Sequence, residues 1–131
     1  MANVYTSQIL MDGNQNVVVH AVGTLDTSDL ASTDLLDPAT LLQTNPVSTQ
    51  LRVDRIRFTV EDTLNVILSW DATADVVAYN CIGRGVLDAT LFGGLQNNAG
   101  AGKTGKIQIS TQGWAASGII SFDVTVECTK Q

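Results

Sequence analysis

The stretch from Leu87 to Thr111, LDATLFGGLQNNAGAGKTGKIQIST, holds the residues with the plainest chemical potential, a lysine and a threonine closing a glycine-rich run. In AGAGKT at 99–104, Lys103 and Thr104 stand where a phosphate-binding loop puts its ammonium and its metal-directed hydroxyl. That motif needs a glycine five residues before Gly102, and the residue there is Asn97. It also needs the loop to run from a buried strand into a helix whose free N–H groups face phosphate. Lys106 to Thr111 instead alternates as a strand. The glycines at 93, 94, 100, 102 and 105 read more simply as chain reversals or close backbone contacts. The loop is therefore expected to be a basic-edged connection between strands.

Other reactive side chains are few or scattered. His20 is the only histidine and sits among Val17, Val18, Val19 and Val22, with no carboxylate, thiol or hydroxyl beside it in the sequence. Cys81 and Cys128 each end a strand-like run, and buried free thiols are expected. Together with His20 they lack the close ligand pairs of a structural zinc site. Asp26, Asp29, Asp34 and Asp37 line one long polar segment, while Asp71 and Asp75 bracket a turn. None of these stretches matches a twelve-residue calcium loop, and nothing selects two carboxylates as a glycosidase pair. The sequence assigns no catalytic residue, no metal ligand and no cofactor-binding residue. Seven aromatic residues are spread along the chain, mostly at strand positions. Trp114 is the exception, in TQGWAASG at 111–118 between two strands. It admits three readings: a lid on the core, an anchor for a protein partner, or a contact for a ligand such as sugar.

These side chains must be carried by strands. Segments rich in β-branched residues recur at short intervals, separated by Gly, Asp, Asn and Ser. The expected strands are Tyr5 to Met11, Val17 to Leu25, Gln50 to Glu61, Leu64 to Trp70, Val76 to Ile82, Val86 to Phe92, Gly105 to Thr111 and Ile119 to Cys128. DGNQN at 12–16 supplies the first turn. In the last strand Ile120, Phe122, Val124, Val126 and Cys128 share one face, with Ser121, Asp123, Thr125 and Glu127 on the other. Asp26 to Asn45 breaks the pattern as a long excursion with one expected helical turn, because Asp37 and Pro38 make an N-cap and N1 pair. Its leucines are too many for a solvated loop, so they cover the core or meet a neighbouring subunit. Leu30, Leu35, Leu36, Leu41 and Leu42, with Trp114, are taken as suspected interface residues.

Eight or so short strands and no amphipathic helix of normal length predict an all-β fold, a single antiparallel β-sandwich over 1–131, jelly-roll-like, rather than a nucleotide-binding α/β fold. A chain of 131 residues and 13.9 kDa buries about two-thirds of its unfolded surface in one domain. No run approaches the roughly 20 apolar residues of a membrane span. The first residues, MANVYTSQILMDG, lack a signal-peptide pattern, so synthesis in the cytoplasm is the expectation. Thirteen acidic residues against seven basic ones give a formal charge of −6, which disfavours nucleic acid and anionic lipid as partners. Arg52, Arg55 and Arg57 nevertheless gather in one segment, leaving room for a local basic patch.

From Leu68 to Trp114 the chain resembles the small head decoration, or cement, proteins of tailed bacteriophages. The resemblance extends over roughly Arg52 to Val126. It rests on Trp70 and Asp71, on the turn Phe92-Gly93-Gly94-Leu95, on Thr104-Gly105-Lys106-Ile107 opening a strand, and on Thr111-Gln112-Gly113. These are turn and strand signatures. The resemblance implies a non-enzymatic virion protein, assembled in the host cytoplasm, that forms a dimer or trimer and binds the major capsid protein on the outside of the head shell. On this expectation the N-terminal strand and the leucine-rich excursion make the attachment, and acidic residues complement basic shell patches. A carbohydrate-binding or tail-associated adhesion module is the alternative, with Trp114 as its platform.

Overall fold

A computed structural model describes residues 3–26, 28–41, 50–61, 64–114 and 119–130. Nine strands account for most of them: β1 Val4–Asp12, β2 Asn16–Leu25, β3 Thr33–Leu36, β4 Leu51–Val60, β5 Asn65–Trp70, β6 Val76–Ile82, β7 Arg84–Asp88, β8 Ile107–Gln112 and β9 Ile120–Lys130. They form two antiparallel sheets, ordered β1-β2-β9-β4-β7 and β3-β8-β5-β6. The second strand pairs with the ninth, the third with the eighth, the fourth with the seventh and the fifth with the sixth. The β4–β9 and β5–β8 pairs then complete each sheet. A long hairpin of strand pairs rolled over itself in this way is a jelly roll, and β1 is an extra strand added outside it. The single-domain antiparallel sandwich expected from the alternation is what forms.

The core lies between the sheets and is filled by the inward faces. Val17, Val19, Ala21 and Leu25 from β2 meet Phe122, Val124 and Val126 from β9, opposite Val66, Leu68 and Trp70 from β5 and Ile107 and Ile109 from β8. In β4 the apolar phase changes from Leu51 and Val53 to Ile56, Phe58 and Val60. A bulge at Asp54 causes it: Val53 stands opposite Cys128, but Arg55 stands opposite Glu127. Asp54 accepts from Arg52 Nε at 2.9 Å and from the Thr129 hydroxyl, so the extra residue is satisfied. Cys81 and Cys128 are free and buried, as expected.

Two segments depart from the sequence reading. Val86 to Phe92 is not one strand: β7 stops at Asp88, whose carboxylate accepts from the Thr90 N–H at 3.2 Å and opens a 3-10 turn at Ala89–Phe92. Gly93, at φ +87°, ends that turn in the left-handed region open to glycine. The excursion at 26–45 is not a plain loop, for it contains β3. The helical turn expected after Asp37 is a 3-10 turn at Pro38–Thr40, with Pro38 in its first turn and the Asp37 side chain accepting from Ala39 N–H at 3.0 Å.

Candidate functional site

The glycine-rich loop is committed to holding the fold. Its backbone is zipped to the β5–β6 turn: Thr73 N–H donates to the Ala101 carbonyl at 3.2 Å, Thr104 N–H to the Asp71 carbonyl at 3.1 Å and Asp71 N–H to the Lys106 carbonyl at 3.1 Å. The Thr104 hydroxyl donates to Asp71 Oδ2 at 2.7 Å. The amide and hydroxyl that a phosphate would need are thus occupied, and the loop enters β8 rather than a helix. Gly102 has φ +77°, and a Cβ there would overlap the Thr73 side chain. The glycines serve a close approach between two loops.

The suspected interface residues divide. Leu35, Leu36 and Leu41 are buried among the core side chains, and Leu30 and Trp114 are half-buried against them. Leu42 lies outside the described residues. The leucines of β3 and its neighbours therefore cover this chain's own core, because β3 completes the sheet opposite β2. Asp29 fastens that segment to β8: its Oδ1 accepts from Trp114 N–H at 2.9 Å and from the Thr111 hydroxyl at 3.2 Å. The Thr111 hydroxyl in turn accepts from Leu30 N–H at 2.7 Å. The Trp114 indole nitrogen is itself buried, without an acceptor among the described residues. Of its three readings, the core lid is the one these contacts describe.

The open surface is the outer face of the five-stranded sheet. Strand registers set its rows: Val22, Asp123, Thr59 and Arg84 in one, and His20, Thr125, Arg57 and Val86 in the next. Then come Val18, Glu127, Arg55 and Asp88. Arg55 bridges Glu127 at 3.4 Å and Asp88 at 3.7 Å. The Thr90 hydroxyl and, more weakly, Arg55 hold the Asp88 carboxyl below the usual carboxylate value. His20 Nε2 lies 2.6 Å from Asp123 Oδ1, a diagonal neighbour across β2 and β9. No carboxylate flanks His20 in sequence, and only strand pairing supplies one.

Arg57 and Arg84 differ from the paired cations. Arg52, Arg55, Lys106 and Lys130 each have a carboxylate partner. Neither Arg57 nor Arg84 has one among the described residues, although the chain carries nearly twice as many acids as bases. Arg57 stands opposite Val86 and Arg84 opposite Thr59, so the two guanidinium stems are diagonal neighbours, about 7–8 Å apart at the backbone. An open depression of about 670 Å³ is lined by Val22, Thr59, Glu61, Arg84, Ser121 and Asp123. A second, of about 320 Å³, shares Thr59, Arg84 and Asp123 and adds Arg57, Val86 and Thr125. Val86 is 60% exposed, and the 3-10 turn after β7 presents Leu91 and Phe92 at 85% and 63%. Arg57 was legible in the alternation of Gln50 to Glu61. Arg84 was not, because nothing local says that β7 lies beside β4.

Chemically this face offers cations, carboxylates, hydroxyls and an apolar fringe on a rigid support, with Arg57 and Arg84 the groups on it suited to a partner's carboxylates. No group of three or more His, Cys, Asp or Glu residues among the described residues is placed to hold a metal ion. No described helix is long and apolar enough to cross a membrane. No protein-family model and no curated protein matches the chain. Among solved structures it is similar to a cupin superfamily protein from Desulfitobacterium hafniense DCB-2, with 8% identity, a TM-score of 0.33, and coverage of 99% of this chain and 80% of that one.

Proposed function

We propose that this chain is a non-enzymatic virion structural protein, a decoration protein that attaches to the outer surface of a bacteriophage head shell and stabilises it. The observation that carries the reading is the outer face of the five-stranded sheet, broad and open, where Arg57 and Arg84 have no carboxylate partner among the described residues and lie beside exposed Val86. A decoration protein needs a stiff support and a wide contact area more than an enclosed cavity, and repeated copies on a symmetric shell gain avidity from modest contacts. The resemblance of Leu68 to Trp114 to head decoration proteins supplies the kind of partner, the major capsid protein. Docking is assigned to the two arginines, which meet carboxylates on the shell, with the Leu91 and Phe92 turn as an apolar margin. This reading replaces the N-terminal strand and the leucine-rich excursion as the attachment surface and sets basic rather than acidic residues of this chain against the shell; the described leucines of the excursion are buried or half-buried.

Co-sedimentation with purified head shells tests the reading. Wild-type protein should pellet with shells in a salt-sensitive manner, and the double variant Arg57→Glu, Arg84→Glu should lose at least about tenfold in affinity while keeping its thermal midpoint. Protein that stays in the supernatant at every salt concentration would sink the proposal.

A further inference from the structure

We infer that the free edge of β1 is a self-pairing edge: two copies of this chain join antiparallel about a two-fold axis at Ser7, producing one continuous ten-stranded sheet, five strands from each copy. Among the described residues β1 pairs with β2 alone, which leaves half of its backbone N–H and C=O groups facing outward. The strand also overhangs the sandwich. β2 lies over β3 and the smaller sheet ends there, so among the described residues no strand of that sheet pairs beyond β3 to extend under β1, and of the inner side of β1 only Tyr5 packs against the core. Seven of its nine residues are exposed, on both faces, and only Tyr5 and Asp12 are half-buried. Val4, Ile9, Leu10 and Met11 are each about half exposed, between 45% and 54%.

Edge strands in isolated proteins are usually blunted by lysine, proline or a bulge. From Val4 to Met11 this one has neither charge nor proline, and its bulge, at Leu10, falls near its end. The occupant that fits is a second copy. In a chain of net charge −6, identical molecules repel wherever carboxylates meet, and β1 is an edge along which eight consecutive residues carry no charge. The pattern also complements itself. With the axis at Ser7, Tyr5 meets the second copy's Ile9, an aromatic and β-branched pair, and Thr6 meets Gln8 while Val4 meets Leu10. Tyr5 and Ile9 belong to one face, since their β2 partners Gly23 and Val19 are both buried. Seven exposed residues a side, against roughly 20–30 in a standard interface, put the contact well below standard size, on the order of 500 Å² in total. The dimer is accordingly weak and concentration-dependent.

The inference stands apart from the shell reading, because it is tested without shells. Sedimentation equilibrium from low micromolar to near-millimolar protein should show monomer passing to dimer. Ser7→Lys, which sets two ammonium groups against each other on the axis, should shift the dissociation constant upward at least tenfold with no loss of thermal midpoint, Ser7 being exposed. Ser7→Cys should give a covalent dimer on mild oxidation, because the axis brings the two Cβ atoms to about 4.5–5.5 Å, whereas Thr6→Cys should give little. The native thiols are buried and do not compete. A monomer at every concentration overturns the inference. So does a dimer that Ser7→Lys leaves intact, or cross-linking no better at Ser7 than at Thr6.

Discussion

Lys130, next to the end of the chain, buries its ammonium against Asp12 at the close of β1, and the same Nζ donates to the Gly13 carbonyl at 2.7 Å. The Lys130 side chain is almost fully enclosed, and the pair staples β9 to the first hairpin turn. Removing one partner of such a pair strands a buried charge, whereas replacing the cation by an apolar chain of similar length does not. Asp12→Ala should therefore cost about 2–3 kcal/mol in urea unfolding, and Lys130→Met under about 1 kcal/mol. Equal losses for both variants would show that the ion pair is not what holds this corner.

The excursion separates core from surface in a second measurement. Leu36 in β3 is 2% exposed, while Leu91 in the turn after β7 stands in solvent. Leu36→Ala should destabilise by about 3 kcal/mol through lost burial and the cavity left behind. Leu91→Ser should fall within about 0.5 kcal/mol of wild type. A silent Leu36→Ala would mean that β3 is not part of the sandwich in solution.

At the glycine-rich loop the expected effects are structural. Thr104→Val removes the hydroxyl bond to Asp71 and should cost about 1 kcal/mol, while Lys103→Ala at an exposed position should be near neutral. Gly102→Ala should cost more than either, since it combines a left-handed backbone with an overlap at Thr73. Thermal shift with a nucleoside triphosphate provides the counter-test. A raised midpoint that Lys103→Ala abolishes would restore the phosphate reading.

Burial pushes the Cys81 thiol up to about 12 and raises that of Cys128, with the Asp54 and Glu127 charges adding to the second. In the unfolded chain both ionise near 8.5. Between those values the folded state keeps protons that the unfolded state releases, so these thiols make stability fall as pH rises above about 8.5. Urea midpoints measured from pH 7 to 10 should decline, and Cys81→Ala with Cys128→Ala should flatten the decline. Both thiols should resist alkylation at pH 8 until the protein unfolds. Rapid labelling of native protein would contradict their burial.

Much of this fold is legible in the sequence alone. Period-two alternation located seven of the nine strands to within a few residues and put Ile120, Phe122, Val124, Val126 and Cys128 on the inward face of β9, because a strand's side chains alternate whatever it pairs with. Asp37 and Pro38 marked a helical turn through local capping geometry alone. β3 escaped notice since four residues within a polar stretch offer too little alternation, and only β8 makes them a strand. The same holds at the proposed surface. Which strand lies at an edge, that Asp123 reaches His20, and that Arg84 joins Arg57 on one face all depend on pairings between residues far apart in the chain. Composition carried the acidic balance, but not the placing of Arg57 and Arg84 on one face within it. The leucines of the excursion show the limit most plainly. An apolar side chain must leave water, and its own sequence says so, yet whether it turns inward or toward another molecule is decided by what the rest of the fold leaves uncovered.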